Sequence, residues 1–67
     1  MYVINEYQTD AAGNTAIVTP ATSNDTNEAE SIFYTRVAAA AISNVPVHAV
    51  TLETAEGFQV KTACYKH

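Results

Sequence analysis

Three side chains in this sequence could do chemistry together: His48, Cys64 and His67. A thiolate and two imidazoles are ligands suited to zinc, and a thiol beside an imidazole can be activated as a nucleophile. Their spacing allows a meeting only if the segment around Glu56 and Gly57 is a hairpin tip. Residues near position 48 then lie opposite those near 64 and 65, and Cys64-Tyr65-Lys66-His67 adds an imidazole three residues on.

Against this stand the ordinary habits of the same residues. A lone cysteine commonly behaves as a small buried hydrophobe. A histidine on a short strand is more often a surface or hydrogen-bonded residue, and His67 is the last residue, where chains fray. A fourth zinc ligand is missing. The expectation is therefore no catalytic residue, no metal-binding residue and no cofactor, and the chain leans away from being an enzyme. There is no phosphate-cradling loop, no paired-cysteine spacing and no HExxH. Gly13 and Gly57 each read as turn residues.

The elements that would position these residues come from pattern and punctuation. Tyr2 to Thr9 mixes β-branched and aromatic residues as a strand does, and Asp10 to Asn14 supplies turn formers. Thr15 to Thr19 reads as the second strand, ended by Pro20, which cannot donate to a ladder. Asp25 with Glu28 forms a capping-box-like start, and Glu28 to Ser43 runs without Pro or Gly to a C-cap at Asn44. At 100° per residue, Ala29, Ile32, Phe33, Val37, Ala40 and Ala41 share a stripe with Arg36 at its edge, while Ser31, Thr35, Ala38 and Ile42 lie opposite. Val47 to Thr54 and Phe58 to Tyr65 are the third and fourth strands.

Facing is less sharply encoded. The solubility of Glu6 and Gln8 turns them outward and puts Val3 and Tyr7 inward. In the fourth strand the alternation places Phe58, Val60 and Cys64 on the core.

The resulting fold class is α+β, in the order ββαββ: a four-stranded, mostly antiparallel sheet with one helix packed on one face, forming a single domain over residues 1–67. In element order and length the chain resembles the β-grasp immunoglobulin-binding modules of bacterial surface proteins. That resemblance implies a parallel pairing of the first and last strands at the sheet centre; an all-antiparallel order is the alternative. The stretch AESIFYTRVAAAAISNVPVHAV and the closing CYKH are similar to small uncharacterised proteins of Gram-positive gut bacteria and their prophages, a resemblance that implies an origin and no activity.

Composition bounds the partners. A chain of 67 residues with a net charge of −4 repels phosphate, and Arg36, Lys61 and Lys66 are too few and scattered for a basic stripe, so no nucleic acid is expected. The run from Val37 to Ile42 is far short of a membrane span, and MYVINEYQTD lacks the basic, then apolar, build of a signal peptide. With a single cysteine there is no internal disulfide framework, and the expected setting is cytoplasmic. A domain this small buries only about 60% of its unfolded surface. It gains from a second subunit, and the Ala38–Ala41 run and the tyrosines Tyr2, Tyr7, Tyr34 and Tyr65 could serve such a contact. The functional expectation is a small soluble interaction protein, a homodimer with a protein partner. The alternative is a small-ligand binder with its pocket at a subunit interface.

Overall fold

The computed structural model describes residues 1–67, the side chain of Thr19 excepted. The strands are β1 (Tyr2–Thr9), β2 (Thr15–Ser23), β3 (Val47–Thr54) and β4 (Gln59–Lys66), with one helix, α1 (Thr26–Ala41), between β2 and β3. They form one four-stranded sheet in the order β2-β1-β3-β4. Every neighbouring pair is antiparallel. The parallel central pair implied by the β-grasp resemblance is thus replaced: β1 lies beside β3, and β4 is an edge.

Local chemistry explains each join. Between β1 and β2, the Asp10 carboxylate accepts from the backbone N–H groups of Ala12 at 3.0 Å and Asn14 at 2.9 Å. Gly13 takes φ +87° there, a region that costs an L side chain strain. Between β3 and β4, Gly57 at φ +93° donates to the Thr54 carbonyl at 3.0 Å. β2 does not stop at Thr19. Its pairing steps from Glu6–Val18 to Ile4–Ala21, so an extra residue bulges where Pro20 sits. Because β2 is an edge strand, the missing N–H of Pro20 costs the ladder little, and the strand continues to Ser23.

The helix begins two residues earlier than its sequence pattern predicts and ends two earlier. Asp25 is the N-cap, its carboxylate accepting from the Asn27 N–H at 2.9 Å. At the other end the Ser43 N–H turns back to the Ala40 carbonyl at 3.2 Å, and Ile42 rather than Asn44 is the C-cap. The helix lies on β1 and β3. Ala29, Phe33 and Ala40 are buried against Ile4, Val50 and Leu52, with Ile32 and Val37 partly buried beside them. Ala41, expected on this stripe, is exposed.

Two facings are the reverse of the sequence expectation. On β1 it is Ile4 that is buried, so Tyr2, Ile4, Glu6 and Gln8 face the helix and Val3 and Tyr7 the open side. On β4, Ala63 and Tyr65 pack against the core, whereas Cys64 is exposed, Val60 is 49% exposed and Phe58, just before the strand, is 72% exposed. The register slips by one residue between Leu52–Lys61 and Glu53–Gln59, leaving Val60 as a bulge that breaks the alternation.

Candidate functional site

The reversal on β1 carries Glu6 beneath the helix, and this creates the most concentrated chemistry in the molecule. Gln8 pairs with His48 across β1 and β3, and Glu6 lies one pleat along on the same face. Glu6 Oε2 meets His48 Nε2 at 2.5 Å, and Arg36 of α1 brings its Nη1 to 3.8 Å from Glu6 Oε1. Gln8 Nε2 also donates to Glu6 Oε2, at 3.3 Å. His48 is only 4% exposed. With Glu6 ionised, Nε2 carries the proton of this hydrogen bond, which fixes the ring's orientation. The other nitrogen, Nδ1, is buried without a hydrogen-bond partner.

A carboxylate-oriented imidazole is half of a nucleophile-activating arrangement, but it needs a hydroxyl or thiol at its second nitrogen. None meets Nδ1 among the described residues. The nearest sequence candidate, Cys64, pairs with Ala49 and so lies on the opposite face of the sheet from His48, whose cross-strand partner is Tyr65. His67 joins neither. Its ring stacks on Tyr65 with centroids 6.3 Å apart, and its Nε2 lies 3.0 Å from the Ala40 carbonyl near the C-terminal end of α1. Its backbone N–H donates to Pro46 at 2.8 Å, so the residue expected to fray is tied down. His48, Cys64 and His67 are therefore not brought together, and no three of the His, Cys, Asp and Glu side chains converge as metal ligands among the described residues. Glu6 and His48 form a largely buried pair between β1 and β3, with Arg36 of α1 at its margin.

The tyrosines do not form one patch. Tyr2 and Tyr65 pack on the core, Tyr7 is on the open sheet face, and Tyr34 lies on the helix surface with the Lys61 ammonium 5.6 Å from its ring centre. A shallow pocket of about 280 Å³ sits between the β1–β2 turn and the loop after α1, lined by Gln8, Asp10, Ala11, Asn14, Val45 and Pro46. No local pattern in the sequence marks it, because its walls join the β1–β2 hairpin to Val45 and Pro46, some thirty residues further along the chain.

The open sheet face is the other feature of consequence. The pairing puts Val3, Asn5 and Tyr7 of β1, Ile17 of β2, Ala49, Thr51 and Glu53 of β3, and Thr62, Cys64 and Lys66 of β4 on one surface. Ile17 is 62% exposed. Towards the Gly57 end of this face, Asn5 Nδ2 donates to Glu53 Oε2 at 2.8 Å and the Thr51 hydroxyl donates to the same oxygen at 3.1 Å. These bonds fix the carboxylate on a floor of β-branched and apolar side chains. No helix of the structure is long and apolar enough to cross a membrane. Comparison of the chain with protein-family models, with curated proteins and with solved structures finds no match.

Proposed function

We propose that this chain is a small interaction protein that self-associates, with a second copy of itself as the partner on the open face of its sheet. The observation that carries the reading is the one-sided core. The helix covers one face of the sheet, while the other presents Val3, Tyr7, Ile17, Ala49 and Cys64 among threonines. Sheets with one apolar face covered and another uncovered gain most from sheet-on-sheet packing.

Size supports it as well. Four strands about 4.8 Å apart and about eight residues long present a face of roughly 500 Å². Two such faces bury about 1,000 Å², the area at which a specific interface becomes sustainable. The single thiol supports a cytoplasmic setting, and a bacterial or prophage origin rests on the sequence resemblance alone. Sedimentation equilibrium tests the proposal: a concentration-dependent dimer is expected, and a strict monomer at high micromolar concentration overturns it.

A second reading, a small-ligand binder, rests on the pocket beside Gln8. A thermal-shift panel of nucleotides, metabolites and metals tests it. Stabilisation abolished by a bulky residue at Ala11 supports it, and a flat response across the panel rejects it.

A further inference from the structure

The open face is poor in charge, and its two charges stand at opposite ends. Glu53 lies towards the Gly57 turn, and Lys66 pairs with Val47 at the far end of β3. Six residues of strand separate the two levels, about 20 Å at the rise of a β-strand. Lys66 is exposed, and Glu53 is held in place by Asn5 and Thr51.

Resting on the reading of the chain as a self-associating protein, we infer that the two copies pack with strands running in opposite directions, each Glu53 meeting Lys66 of its partner. An isologous pair has only two simple ways to lay one such sheet on another. With the two-fold axis along the strands, every residue faces the partner at its own level. Glu53 then sits near the second Glu53, and Lys66 shares its end with the second Lys66. With the axis across the strands, levels invert while the strand order is kept. Glu53 then falls within about one residue and one strand of the partner's Lys66 level, and a lysine stem spans the roughly 10 Å between packed sheets. The first arrangement inverts the strand order, bringing the two Glu53 carboxylates within one strand of each other and leaving each Lys66 three strands from its mate with no opposite charge, whereas the second pairs opposite charges. Complementary charge sets register and orientation even where it adds little affinity.

The test is charge exchange, read by sedimentation equilibrium with circular dichroism to confirm folding. Glu53→Lys and Lys66→Glu should each weaken self-association by about tenfold or more. An equimolar mixture should recover it, because each heterodimer then carries two opposite-charge contacts. Lys66 is exposed, so Lys66→Glu carries the test alone if Glu53→Lys fails to fold. A wild-type dimer whose affinity is unchanged by Lys66→Glu overturns this arrangement and leaves self-association standing. A wild type that is monomeric at high micromolar concentration overturns the self-association itself.

Discussion

Removing the Glu6 carboxylate should unfold the protein far more readily than a change at a strand glutamate ordinarily would. In Glu6→Ala, His48 loses its only hydrogen-bond partner among the described residues, and both ring nitrogens are left buried and unpaired. Leaving a buried polar group unsatisfied costs about 1–3 kcal/mol. The contact with Arg36, at 3.8 Å and partly solvated, adds no more than about 0.5 kcal/mol. The expected loss is therefore about 2 kcal/mol, a large share of the roughly 3–10 kcal/mol available to a domain of this length. In a domain this small, each kcal/mol moves the melting temperature by about 4–8 °C, so the midpoint should fall by about 8–16 °C.

Urea and thermal unfolding of Glu6→Ala, His48→Ala and the double variant measure the pair directly. Once Glu6 is absent, removing the imidazole also removes an unsatisfied group, so the second change should cost less than it does alone. The coupling should be about 1–2 kcal/mol. Replacing both residues with apolar ones of similar volume should recover most of the loss, as exchanging a buried polar pair for packing often does. Additivity within about 0.4 kcal/mol would refute the claim that the two side chains act as a unit.

Phe33 is the largest residue of the buried cluster, seated between the helix and the strands that carry Ile4, Val50 and Leu52. Phe33→Ala should cost about 3–5 kcal/mol and leave much of the protein unfolded at 25 °C; a cooperative melt within a few degrees of wild type would contradict this packing. Lys61 is raised above its ordinary value near 10.5 by the hydrogen bond to Tyr34 first, then by the charges of Tyr34 and Glu30. A pKa raised on folding contributes stability that is whole below the unfolded value and is lost as pH climbs through the folded one, so this contact contributes fully at neutral pH and is lost only in alkali. In Tyr34→Phe, NMR titration should show Lys61 returning towards 10.5, and identical titrations in the two proteins would remove Tyr34 as the cause.

The bounds of β1 and β3 are readable from Tyr2–Thr9 and Val47–Thr54 because turn formers follow both, and Pro46 precedes β3. The helix start was readable in the Asp25 cap. The faces were not. A strand's face is read from which side is apolar, and on β1 neither side is: Ile4 and Tyr2 alternate with Val3 and Tyr7. The tie was broken by the solubility of Glu6, and that argument holds only while the carboxylate has no partner inside. His48 on β3 and Arg36 on α1 supply one, and neither is a neighbour of Glu6 in sequence.

The same reasoning accounts for the error on β4 and for the failed cluster of His48, Cys64 and His67. Gly57 fixes the turn, and residues 64 and 65 do lie opposite the start of β3. Parity then decides everything, because adjacent positions on a strand point to opposite faces. Tyr65 rather than Cys64 pairs with His48, and the bulge at Val60 shifts one end of β4 against the other. A joint reading could have found the arrangement. Val50 and Leu52 share a face of β3 with His48, so a buried β3 face carries an imidazole inward and requires an acceptor from β1 or the helix. Glu6 is the only acidic residue of β1. Pairing requirements between elements, rather than the hydropathy of each strand alone, place the charged residues of this fold.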